Sequence, residues 1–143
     1  SNETRDVISK FLSAHKKEVF ATVDETGVPH SSLMFYATDE NLNFYFGTRA
    51  SFAKYSRIKS NPNVALTVIE EGVEPKRVVE VRGKAEEVPE GERSAKHALM
   101  KEKNPQNSYV EGAEDFVMFY VKPSHLRFVD ASSGELVSTD IHP

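Results

Sequence analysis

The residues with most chemistry to offer are four cations in a stretch without a single acid. Between Asn41 and Ile69 there are 29 residues and no Asp or Glu, where the chain's average would place about four. The same stretch holds Arg49, Lys54, Arg57 and Lys59. An acidic protein of net charge −4 therefore carries a local charge of +4. Thr48-Arg49-Ala50-Ser51 leads into a helix predicted over 50–60, and Lys54 falls in its first turns. A helix N-terminus is already the positive end of the peptide macrodipole, where each misplaced cation costs about 0.3–1 kcal/mol. A bound phosphate reverses that sign. Backbone N–H groups, the hydroxyls of Thr48 and Ser51, and the two cations Arg49 and Lys54 would then meet one anion. The competing reading keeps both side chains in water and makes Thr48 or Ser51 an ordinary N-cap.

Other chemistries find less support. The five histidines, at 15, 30, 97, 125 and 142, include no pair at the i, i+3 or i+4 spacing that sets two imidazoles on one metal. No cysteine is present, which excludes disulfide scaffolds, zinc ribbons and thiol catalysis. Ser31-Ser32 lacks the G-x-S-x-G frame of a nucleophile elbow. Glu70-Glu71 and Glu86-Glu87 read as solvated surface, and neither glycine-rich phosphate-loop pattern occurs.

Aromatic residues crowd the same region. Phe35, Tyr36, Phe44, Tyr45, Phe46, Phe52 and Tyr55 are seven of the chain's 14 aromatics, within 21 positions. Most of these rings must be core. Beside the cations, though, an apolar wall next to an anion site suits a ligand with a flat ring and a phosphate tail.

The elements that must position these groups follow from periodicity. The 143 residues are enough for one domain and too few for two ordinary ones. Val7, Ile8, Phe11 and Leu12 mark one face of a helix over 3–15. Glu18 to Asp24 alternates as a strand with Val19, Ala21 and Val23 on one face. Asp24-Glu25-Thr26-Gly27 turns the chain into a strand over 28–38. Strands follow over 42–46, 64–69, 77–88, 116–121 and 125–129. Pro89 opens a helix to Lys103, and 131–143 is left as a tail. The wholly apolar run FVMFYV at 116–121 would fit burial at a subunit interface. About seven strands joined by short turns, with three helices, imply a mainly β protein: an antiparallel barrel with short helices at its rim.

Composition narrows the function classes. The acidic balance speaks against a nucleic-acid binder. No run approaches 18 apolar residues, so no membrane helix is expected. SNETRDVISKF has no basic-then-apolar order and is not expected to be a secretory signal; Ser1-Asn2 reads as an expression remnant. The expected setting is cytoplasmic.

Three stretches, ATVDETGVPHSSLMFY, NFYFGTRASFAKYSRIKSNPNVAL and RVVEVRGKAEEV, resemble the pyridoxamine 5′-phosphate oxidase-like, FMN-binding split-barrel family. The likeness covers about residues 5–130. Its most specific element is the strand ending at Thr48, then Lys54, then Asn61-Pro62. The resemblance implies a split β-barrel homodimer with FMN in two clefts between the subunits. It implies that Lys54 binds the FMN phosphate, with Thr48, Arg49 and Ser51 near it. It further implies that the strand holding Ser32, Leu33, Met34, Phe35 and Tyr36 runs along the isoalloxazine and ribityl chain, with Phe46 and Gly47 close by.

The departures carry information too. True pyridoxamine phosphate oxidases have an arginine where Ser32 stands, a lysine where Ala37 stands and a glutamine where Val78 stands, and they end in a basic segment. SSGELVSTDIHP lacks it, so vitamin B6 oxidation is not expected. The leading reading is an FMN flavoprotein, an oxidoreductase on a small substrate, with no catalytic residue assigned. The alternative is a non-catalytic binding protein of the same fold, holding haem, biliverdin, the deazaflavin F420 or flavin as a stress-related carrier. Haem would need His30, His97 or His125 as axial ligand. A third is an interaction module with an empty cleft.

Overall fold

A computed structural model describes residues 2–72, 74–105 and 112–143. Helix α1 (Asn2–Ala14) leads into β1 (Lys17–Val23), β2 (Pro29–Phe35), β3 (Ala37–Thr38) and β4 (Phe44–Arg49). Helix α2 (Ala53–Ser60), β5 (Asn63–Ile69), β6 (Arg77–Glu87), α3 (Glu90–Lys103), β7 (Phe116–Asp130) and β8 (Val137–Ile141) complete it. The strands form one antiparallel sheet in the order β2-β1-β5-β6-β7-β4-β3, with β8 on β7.

That order dictates the shape. β2 and β3 stand at opposite ends of the sheet, yet only Tyr36 separates them in sequence. One residue spans a few ångströms, so the sheet must curl until its two edges meet. The result is a split barrel. Tyr36 is fully buried at the closure. Its N–H donates to Lys16 O at 3.3 Å, its hydroxyl donates to Leu12 O at 2.8 Å, and its carbonyl accepts from Asn104 Nδ2 at 3.0 Å.

Local chemistry explains the turns. Asp24 Oδ1 accepts from the backbone N–H of Thr26 (2.9 Å) and Val28 (3.0 Å), and Gly27 adopts the left-handed φ of 86° that this turn requires. The β5–β6 turn is held by Glu70, whose carboxylate takes the backbone N–H of Lys76 and two N–H donors of Arg77. Inside the barrel Phe20, Phe44, Phe46, Phe119, Leu66, Val79 and Leu126 pack together, and Ile8, Phe11 and Leu12 of α1 join the same core.

Several expectations need correction. β7 runs through Pro123 as one strand rather than two. A register shift at Arg82/Gly83 in β6 lies opposite the proline, which has no N–H to offer a ladder. The residues taken as a tail contain β8, whose polar alternation hid it. The strand expected over 28–38 breaks at Tyr36. The apolar run 116–121 is buried on both faces within this chain: Val117, Phe119 and Val121 face the barrel, while Met118 meets Val88 and Met100 under α3. No partner is needed to explain it.

Gly83 marks the tightest backbone approach. A Cβ there would collide with the carbonyl oxygen of Lys122 and press on Val121 Cγ1 at 3.0 Å. We expect Gly83→Ala to lower the unfolding free energy by about 1–3 kcal/mol, the range for forced overpacking, measured by urea denaturation.

Candidate functional site

The gap in the barrel is bordered by two strand edges. β2 pairs with β1 on one side only, so its other edge has no strand partner among the described residues. β3 covers β4 only at Phe44 and Tyr45, which leaves the edge of 46–49 open on that side. The residues expected to touch a cofactor, Ser32 to Phe35 and Phe46 to Arg49, therefore occupy these two edges. An unpaired edge presents backbone N–H and C=O groups that must find other partners.

Alternation decides where their side chains go. Ser32 and Met34 sit opposite Phe20 and Glu18 on the inner face; Leu33 and Phe35 share the outer face with Val19. Phe46 and Thr48 are buried. Gly47 lies beneath the Phe116 ring, where a Cβ would come within 2.7 Å of Phe116 Cε1. Most of the clustered rings are indeed core. Phe46 stacks on Phe119, Phe20 meets Phe46 at a tilt, and Tyr55 and Phe119 meet edge to face.

Thr48 and Arg49 prove to be strand residues, and α2 starts only at Ala53. Its N-cap is Phe52, with no side-chain cap and no acid in the first turn. Neither Thr48 nor Ser51 caps it. α2 packs on β1 and β4.

The four cations find different partners. Arg49 Nε donates to Asp115 Oδ1 at 2.7 Å, and Ser51 N donates to Asp115 Oδ2 at 3.0 Å. The hydroxyl of Ser51 and the guanidinium of Arg49 together hold the Asp115 carboxyl far below its ordinary range. Two donors expected to meet a phosphate thus already hold an anion from the chain itself. Arg57 Nε donates to Thr22 Oγ1 at 2.7 Å, and Lys59 Nζ pairs with Glu87 Oε1 at 2.9 Å. Lys54 alone of the four has no hydrogen bond or ion pair among the described residues. Burial lowers its affinity for a proton, the positive charge of Arg57 lowers it further, and Glu18 works the other way.

Glu18 is the residue that sequence reading missed. It is 1% exposed, on the inner face of β1, and neither carboxyl oxygen has a hydrogen-bond partner among the described residues. Burial pushes its pKa up to about 8, against the pull of Lys103 and Lys54. Lys103, from the end of α3, donates to Leu12 O at 2.8 Å and lies 3.5 Å from the Tyr36 ring centre. Desolvation brings it down to about 7. The face of β1 that holds Val19, Ala21 and Val23 is the outward one, with Val19 at 39% exposure beside Leu33 at 64%. Nothing local in EVFATVD announces this inversion. Asp115 was equally invisible, 66 residues from its partner Arg49.

A groove of about 1010 Å³ lies elsewhere, on the outer face of β1, β5, β6 and β7, lined by Arg82, Lys84, Lys122, His125 and His142 but not by Lys54. Its size alone does not make it the site. Two of these groups are tied to each other and to an acid: Arg82 Nη2 donates to His125 Nδ1 at 3.0 Å, and His125 Nε2 meets Asp140 Oδ1 at 2.7 Å.

The model of the family described as pyridoxamine 5′-phosphate oxidase matches residues 4–130. The chain belongs to that family. Solved structures of similar fold include a putative pyridoxamine 5′-phosphate oxidase from Listeria innocua, at 21% identity and a TM-score of 0.72, covering 87% of this chain and 97% of that one. A FAD-binding protein from Mesorhizobium loti matches at 21% identity and a TM-score of 0.70, covering 84% and 89%. A heme-binding protein from Mycobacterium smegmatis matches at 18% and 0.77; this chain is covered to 92% but spans only 55% of that protein. No curated protein sequence matches the chain. In this chain Ala37 is 1% exposed and packs in one cluster with Tyr45 and Met100.

The buried carboxyl gives a stability test. Its folded pKa lies above the unfolded value, so the unfolded chain loses its proton first. Glu18 therefore contributes most below about pH 4.5, and stability falls as pH rises toward about 8. Glu18→Gln should remove this fall, on the order of 3–5 kcal/mol at about 1.4 kcal/mol per pH unit, in denaturation curves compared across that window.

Proposed function

We propose that the protein is an FMN-binding flavoprotein of oxidoreductase type, with the cofactor laid along the gap between β2 and β4. The observation that carries this reading is Lys54. It is a half-buried cation with no hydrogen bond or ion pair among the described residues, in the first turn of a helix that has no side-chain cap and no acid there. Each of these features costs stability alone, and one phosphoryl group would offset all of them. FMN fits because it joins such a group to a flat ring. The open backbone edges at 32–35 and 46–47 supply donors and acceptors for the ring edge and ribityl chain. Arg49 and Ser51, held by Asp115, flank the phosphate.

When bound, the flavin supplies hydride-transfer chemistry, so the protein needs no acid, base or nucleophile of its own. The chain's part is to hold the phosphate, orient the ring and keep water out. The FAD-binding relative supports a flavin as the flat ligand. The bound state is proposed to be a homodimer. Val19, Leu33 and Ile69 leave an apolar outer face on β2-β1-β5, next to the gap, and a second copy would bury it and cover an otherwise open ring.

Purified protein should be yellow, with flavin absorption bands and FMN released on denaturation. A Soret band in place of flavin bands would instead assign it to haem, the ligand in the name of the Mycobacterium smegmatis relative. Lys54→Ala should weaken FMN binding by about 1.5–3 kcal/mol, the range for a charged hydrogen bond, in a fluorescence titration; unchanged affinity would remove the site. Light scattering of the flavin-loaded protein should give the mass of two chains.

A further inference from the structure

Glu18 has no role in the site as drawn so far, yet its position is costly. A carboxyl enclosed in an apolar barrel with neither oxygen hydrogen-bonded is tolerable only when it carries a proton or faces a cation. The charged and titratable groups around it come from three elements. Lys54 approaches from α2 and Lys103 from α3, while the Tyr36 hydroxyl lies at the barrel closure. Behind these stand Arg57, which acts on Lys54, and Lys16 and Glu71, which act on Lys103. Lys103 is already engaged with Leu12 O and the Tyr36 ring. Lys54 is therefore the cation with freedom to answer either Glu18 or an outside anion.

We infer that Glu18 is a positioning residue for the phosphoryl site: its uncharged form leaves Lys54 to the ligand, and its ionised form competes for that cation, so ligand binding at Lys54 is coupled to proton binding at Glu18. This rests on the reading of Lys54 as the phosphate-binding residue. The coupling is reciprocal, as any linkage between two sites must be. A phosphate held by Lys54 places a second negative charge near Glu18 and favours its proton. Loss of that proton raises a buried negative charge against the phosphate and weakens its hold. The sign follows: affinity is high where Glu18 is protonated and falls as pH rises through about 8.

The test uses FMN itself as probe, titrated by quenching of flavin fluorescence between about pH 6.5 and pH 9. For the wild type, Kd should rise about fivefold or more across this range, the lower end of coupling between two sites. Glu18→Gln should bind FMN with affinity that no longer changes over it. A flat wild-type profile, or the same fall in Glu18→Gln, overturns the coupling while leaving FMN binding at Lys54 intact. Failure of the wild type to bind FMN at any pH overturns the proposed function and this inference with it.

Discussion

Closure of the sheet at Tyr36 is the constraint on which the rest of the molecule depends. Two edge strands at opposite ends of a seven-strand path are joined through one residue. The sheet cannot lie flat under that condition. Curling brings β2 beside β4, but β3 is only two residues long, so the seam is closed for a short distance and open beyond it. The opening is where backbone groups of two strands remain unpaired. A site built on such edges needs few special side chains, which accounts for the lack of a catalytic signature in the sequence.

Tyr36 also gathers the buried polar groups. Its hydroxyl and the ammonium of Lys103 both donate to Leu12 O near the end of α1, a carbonyl that the helix itself leaves unsatisfied. Asn104 holds the tyrosine carbonyl from the end of α3. Two helices are thereby fastened to the seam. Glu18 lies inside the same enclosure, and its charge state is felt by Lys54 on one side and Lys103 on the other. Fold closure and site electrostatics thus share residues.

The cationic stretch shows how a local signal can be read correctly in part. An excess of positive charge between Asn41 and Ile69 is real, but three of its four members are answered by groups that the fold brings from far along the chain: Asp115, Thr22 and Glu87. Among the described residues, only Lys54 of the four has no hydrogen bond or ion pair. The sequence could count cations, and only the fold could say which of them was free.

The sequence by itself determined the three helices, most of the strands, the hairpin at Asp24–Gly27 and the antiparallel barrel, because each of these depends on short-range periodicity and turn chemistry. It also carried the family likeness, through Lys54 and Asn61-Pro62. Tertiary structure decided which face of β1 is inside, since a period of two is the same for both faces. It decided that β7 passes through Pro123 unbroken, because a register shift in the neighbouring strand accommodates the missing N–H. It decided as well that Glu18 is buried and that Asp115 sits with Arg49. Burial and long-range pairing arise from the whole packed chain, and no window of neighbouring residues contains them.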